Sequence, residues 1–269
     1  MRKLIIGFVF LFIGLFSYAQ VLEFYPYKSS MKKNKVKSIK SVFGVHLVKP
    51  KATETERWVD IDSFDTEGYI RKHLHWDLAD TERIFEHTYY YNNKMQLVAD
   101  SEVCRRDSIW DYTTYQYDKK ERLIRSKYFE PDSGIEIKGQ YGQLIDMKWV
   151  KTDTAVSEYF YPDNNTIIVK KTCCDKTPEG TYTVIKLDEK QRVISITSYK
   201  NSKKYSFSKY IYDGNGNLVK ERFYLKRKLY STYIYAYDEK NLLLSIKNYD
   251  GKPKSNKNYT YSNYFYTFY

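Results

Sequence analysis

Three of the four histidines in this chain are the residues with most chemistry to offer. His73 and His75 alternate, so on a strand both imidazoles point to one face, and His87 lies in the next strand-like run. Imidazoles grouped in this way suit zinc or copper. One reading is therefore an envelope metal-dependent protein or hydrolase using His73, His75, His87 and nearby carboxylates. No further ligand at metal spacing can be picked out, so ordinary half-exposed histidines are expected. Asp60, Asp62, Asp65 and Glu67 precede Gly68 and could offer oxygens to calcium, but their spacing is not that of an EF-hand. A solvated acidic turn is the plainer expectation. Cys104, Cys173 and Cys174 form an odd set. An internal disulfide would join Cys104 to one of the adjacent pair, because a Cys173–Cys174 bond is strained. GxSxG and HExxH do not occur, and SxxK at Ser29, Ser30 and Ser206 lacks its SDN and KTG companions. No catalytic residue and no cofactor are expected.

The elements that would carry these residues repeat. Tyr212-Asp213-Gly214-Asn215-Gly216-Asn217-Leu218-Val219, Tyr237-Asp238-Glu239-Lys240-Asn241-Leu242-Leu243 and Tyr117-Asp118-Lys119-Lys120-Glu121-Arg122-Leu123-Ile124 share one order: aromatic, acid, polar turn, apolar pair. Asp188, Asp213 and Asp238 are spaced 25 residues apart. Weaker anchors stand at Phe64, Tyr91, Tyr141 and Tyr161, with drift between Tyr117 and Leu187. A fixed period means one supersecondary unit copied in tandem. Tyrosines ahead of each anchor recur at every second position, which is the strand period, and Asp, Asn and Gly supply the turn. Each unit is thus an antiparallel hairpin. The chain has 30 tyrosines, whose rings pack on a half-buried sheet while the hydroxyls reach water.

Met1-Arg2-Lys3, the apolar run from Leu4 to Phe16 and Ser17-Tyr18-Ala19 have the three parts of a secretory signal peptide, with cleavage expected after Ala19. After cleavage no transmembrane span is expected, and the protein would reach the periplasm, the outer-membrane surface or the medium. Residues 20–40 are Lys-rich and read as a basic lead-in, Val42 as the start of the first strand, and 41–269 as one β-repeat domain clearest over 110–260. The net charge of +12 favours contact with an envelope protein or an acidic glycan, and less so nucleic acid. Basic-aromatic runs make Lys203, Lys204, Tyr210, Tyr212, Tyr233, Tyr235 and Tyr237 the candidate ligand-binding residues.

The fold expected is all-β: tandem antiparallel hairpins forming a repetitive meander sheet, open or curled, with little helix. An outer-membrane barrel needs alternate apolar residues along each strand, and Val219-Lys220-Glu221-Arg222-Phe223 carries charge on both faces. The Tyr212-to-Leu218 unit resembles the YD repeats of Rhs-type proteins. That resemblance implies long β-sheets that coil into shells or present an adhesive surface. It points to a non-enzymatic exported repeat protein, a structural or binding module at the bacterial cell envelope.

Overall fold

Every Asp of the repeat folds its own turn. In a computed structural model describing residues 31–47, 53–104, 109–138, 144–173, 180–253 and 258–268, the Asp118 Oδ1 accepts the backbone N–H groups of Lys120 and Arg122 at 2.8 and 2.9 Å. Asp188 does the same for Lys190 and Arg192, Asp238 for Lys240 and Leu242, and Asp65 for Glu67 and Tyr69. Asn92 serves equally well for Lys94 and Gln96. In six of the turns the residue three past the capping Asp or Asn has positive φ: Gly68 and Gly216, but also Met95, Glu121, Gln191 and Asn241. The cap holds the left-handed residue in place, which is why only some copies need glycine.

These turns join sixteen strands. They are β1 (Val36–Leu47), β2 (Thr53–Phe64), β3 (Ile70–Asp77), β4 (Asp80–Tyr91), β5 (Leu97–Cys104) and β6 (Ile109–Tyr117). Next come β7 (Leu123–Lys138), β8 (Leu144–Asp163), β9 (Thr166–Cys173), β10 (Tyr182–Leu187) and β11 (Val193–Lys200). The series ends with β12 (Lys203–Tyr212), β13 (Leu218–Leu225), β14 (Lys228–Tyr237), β15 (Leu243–Asp250) and β16 (Tyr259–Phe268). Each pairs antiparallel with its sequence neighbours, and β1 pairs with β16 from Val36↔Phe268 to His46↔Tyr259, so the sheet closes into a barrel. The expected open or curled meander is corrected on this point. β1 begins at Val36, ahead of the expected Val42, and residues 31–33 form one helical turn whose Met31 packs with Val36, Ile39, Phe64, Ile70 and Leu242. The expected signal peptide and the anchor at Tyr141 lie outside the described residues. The drift in the repeat has its cause beside that anchor, where β7 and β8 lengthen to 16 and 20 residues.

Closure has a local cause. At the Asp turns the ladder slips by one residue: Gln116 pairs with Arg125 but Tyr117 with Leu123, and Lys186 with Ser195 but Leu187 with Val193. The same bulge recurs at Tyr91, Tyr212 and Tyr237. Bulges bend and twist the strand that carries them, and repeated at one level they curl a sheet onto itself. The extra residue is the one after the first ladder-paired apolar residue past the turn, and Ile124, Ile194 and Leu244 are accordingly left exposed. Sixteen strands about 4.8 Å apart and tilted about 40° enclose a ring on the order of 15 Å in radius.

The anchor tyrosines lock this ring from within. Tyr91 donates its hydroxyl to the Ile70 carbonyl, Tyr117 to Leu97, Tyr161 to Leu123, Tyr212 to Val193, Tyr237 to Leu218 and Tyr266 to Leu243. Each bond ties one hairpin to the one before it. Arg71, Arg122 and Arg192 pair with their turn aspartates and lie over the next ring, Tyr91, Tyr161 and Tyr212, at 4.8, 4.6 and 4.5 Å. The packed residues form a belt along the inner wall, with Leu97, Tyr115, Leu123, Tyr159, Ile167 and Ile185 among its members.

Candidate functional site

The inner wall carries a cluster of buried titratable groups. Cross-strand register sets Asp60 opposite His75 and Asp62 opposite His73, then His73 opposite His87 and His87 opposite Glu102. His73 Nδ1 lies 2.8 Å from Asp62 Oδ1, and His75 Nδ1 lies 2.5 Å from Asp60 Oδ1. His87 Nε2 stands 3.2 Å from Glu102 Oε2. Ser41 donates to Asp60 at 3.0 Å, and the Tyr115 hydroxyl donates to Asp100 Oδ2 at 2.5 Å. The His73 ring lies 6.5 Å from that of His75 and 5.5 Å from that of His87. Four strands, β2 to β5, thus carry one belt of imidazoles and carboxylates.

Burial and charge compete along the belt. Burial opposes the charge on His73, yet Asp62, Asp60 and Glu102 outweigh it and raise the imidazole to about 9. Burial likewise pushes Asp60 and Glu102 upward, but the histidine bonds prevail and hold both below the usual carboxylate range. At Asp100 burial wins over the Tyr115 bond and His87, and its carboxyl rises to about 6. A carboxylate whose folded pKa is raised loses stability as pH climbs from its unfolded value through the folded one. Asp100→Asn should therefore stabilise the protein by about 1–3 kcal/mol at pH 7, and the gain should fade towards pH 4. Urea titrations of both proteins at the two pH values measure this; an equal difference at both would remove Asp100 as the cause.

The structure places the three histidines on one face of adjoining strands, β3 and β4. The carboxylates that neutralise them were not identifiable as partners, since the partnership depends on strand register and a slip of one residue turns every side chain to the other face. The acidic group before Gly68 divides: Asp60 and Asp62 face the histidines, Asp65 caps its turn, and Glu67 pairs with Lys32. Among the described residues no group of three His, Cys, Asp or Glu side chains could hold a metal ion. Cys104 is a buried thiol at the end of β5, and Cys174 lies outside the described residues.

The candidate tyrosines also face inward, in two roles. Tyr212 and Tyr237 belong to the locking bonds. Tyr210, Tyr233 and Tyr235 gather instead around Glu221, which register places opposite Tyr210 and Tyr233. Tyr235 and Ser208 donate to its carboxylate at 3.3 and 3.1 Å. Burial lifts the Glu221 carboxyl above its ordinary value, against the bonds from Ser208, Tyr235 and Tyr210. Glu221 and Ser208 were missing from the expected set; the charge pattern of β13, Lys-Glu-Arg, marks Glu221 as the one acid between two outward cations. Lys203 and Lys204 are elsewhere, on the rim opposite the Asp turns, with Lys204 Nζ 3.9 Å from the centre of the Phe207 ring.

No family model matches the chain, and no curated protein matches it. A porin-like protein from Bacteroides uniformis is similar in structure at 8% identity and a TM-score of 0.41, covering 87% of this chain and 97% of that one. The TcdB2–TccC3 structure matches at 14% identity and a TM-score of 0.27, over 79% of this chain and 14% of that one. A LolA-superfamily protein from Nitrosomonas europaea matches at 9% identity and a TM-score of 0.25, over 88% of each. Likenesses this distant carry no function across, and the reading rests on the chain's own residues.

Proposed function

We propose that the chain is an exported, non-catalytic β-barrel of the bacterial cell envelope, a structural or binding module with both faces in water. The distribution of charge over the two faces carries this reading. Register turns Lys72, Glu86, Lys170, Lys209, Arg222 and Lys247 to the outer wall, and each cation there would cost about 2–4 kcal/mol at a bilayer midplane. Their sum is comparable with the stability of an ordinary domain. Inside, His73, His75, His87, Asp100 and Glu221 each hold a partner along the wall. The signal-like first 19 residues support export. The Tyr-Asp turns support a short YD-type repeat protein whose hairpins close on themselves.

Sixteen-strand closure favours a second reading, a membrane pore. Among the described residues no helix is long and apolar enough to cross a membrane, which says nothing about strands. Fractionation of cells expressing the full chain separates the two. The proposed module leaves the membranes on an alkaline carbonate wash. Retention in the pellet, with ion conductance in planar bilayers, would establish the pore instead.

A further inference from the structure

The two rims of the barrel differ in charge. On the Asp-turn rim cations and carboxylates alternate and pair across turns, as Lys94 does with Glu121 at 2.9 Å. On the opposite rim the turns after β11 and β13 present Lys200, Lys203, Lys204, Lys226, Arg227 and Lys228, all exposed. Among the described residues none of these six is ion-paired with a carboxylate. That rim also carries acids: Asp250 at the end of β15, and Asp77 and Asp80 across the ring between β3 and β4.

The turns of this arc are stitched to one another. Ser202 N–H donates to the Gly180 carbonyl, Lys226 N–H to Tyr205 and Gly251 N–H to Tyr230, at 2.9, 3.0 and 2.7 Å. Their tips are therefore held along a common edge. Just behind them, on the outer wall, stand cross-strand aromatic pairs. Tyr182 stacks on Tyr199 at 4.6 Å, Phe207 meets Tyr224 at 5.8 Å, and Tyr249 meets Tyr259 at 5.2 Å. Between the two turns an open depression of about 330 Å³ is lined by Lys204, Tyr205, Ser206, Phe207, Tyr224 and Arg227.

We infer that this rim arc, from β10 to β16, is a docking surface for an anionic lipid bilayer. The inference rests on the envelope reading above and names the surface the barrel meets there. Cations at the turn tips face the lipid phosphates. The tyrosine and phenylalanine rings one step behind sit at headgroup depth, where amphipathic rings are favoured. A linear polyanion would call for a groove running along or across strands. Here the cations follow an edge and the rings follow it at a similar depth, which is the geometry of a plane. The wall charges beyond the rings limit entry to the rim.

The test is co-sedimentation of the purified full chain with vesicles of phosphatidylcholine alone and with a quarter phosphatidylglycerol. Each cation near an anionic surface contributes about fivefold in affinity. Binding should require phosphatidylglycerol and vanish in 0.5 M salt, where the screening length is roughly 4 Å. The triple change Lys203→Glu, Lys204→Glu, Arg227→Glu should weaken it at least ~100-fold. The same charge change on the other rim, Lys119→Glu, Lys120→Glu, Lys190→Glu, should leave binding within about fivefold of the wild type. Circular dichroism verifies that both variants fold, and if the first does not, Lys204→Ala and Arg227→Ala singly should each cost about fivefold. Equal binding to both vesicle types, equal loss in the two triple variants, or binding of soluble oligogalacturonate with none to vesicles would overturn the proposal. Failure here leaves the carbonate extraction result standing, so the two readings fail separately.

Discussion

Proline placed at Lys40 and, separately, at Ser41 should each lower the stability of the protein by about 1–3 kcal/mol, the cost of a ladder carbonyl left without its donor. Along a strand successive N–H groups point to opposite sides, so one of these two faces β2 and the other β16. In an open meander β1 would be an edge, and one of the two prolines would be tolerated there. In the closed ring Lys40 pairs with Ile61 and Phe265, and Ser41 with Asp60 and Tyr264, so neither side is free. Lys40 points outward and is exposed, which keeps the side-chain contribution small. Ser41 also bonds Asp60, so Ser41→Ala supplies the baseline for the second proline. At about 2–4 °C per kcal/mol for a chain of this size, melting should fall by roughly 2–12 °C in both. A change of under 1 °C at either position would mean that the seam between β1 and β16 is not made.

Much of this architecture is legible in the residues once the spacing is read as mechanics. Asp118, Asp188 and Asp238 announce their turns because a carboxylate capping two N–H groups is a local event. The inward tyrosines are equally local, following from alternation. Closure is different, since the β1–β16 seam joins the two ends of the series and neither strand carries a periodic mark of its partner. Yet its cause was present in the repeat: an apolar pair after the turn breaks strict alternation, and at Ile124 and Ile194 its second member is the bulged residue. Charge on both faces of Val219 to Phe223 is compatible with a barrel because Glu221 turns in while Lys220 and Arg222 turn out. The histidine pair was visible from its spacing. Its carboxylate partners became visible only when register fixed which residues of β2 and β5 share its face.

That belt should give the barrel a stability that falls as the medium turns alkaline. His73 carries an imidazole raised to about 9 from an ordinary value near 6.5, because Asp62, Asp60 and Glu102 overcome its burial. A group raised on folding contributes its full stability below the unfolded value and loses it as pH rises through the folded one. The window is therefore pH 6.5 to 9, and the loss from this group is up to about 3 kcal/mol. Its side chain and that of Asp62 are 22% and 20% exposed, so solvent screening trims the figure rather than removing it. The neighbouring groups do not supply the same slope: Asp60 and Glu102 are held in the acid range, and burial raises Tyr115 well above neutral pH. His73→Asn should be less stable than the wild type at pH 6, because Asp60 and Asp62 lose the charge that offsets their burial. The two proteins should converge by pH 9. Thermal unfolding at half-unit steps across the window tests it: parallel curves would place His73 neutral in the folded barrel, and its carboxylates would then need another source of compensation.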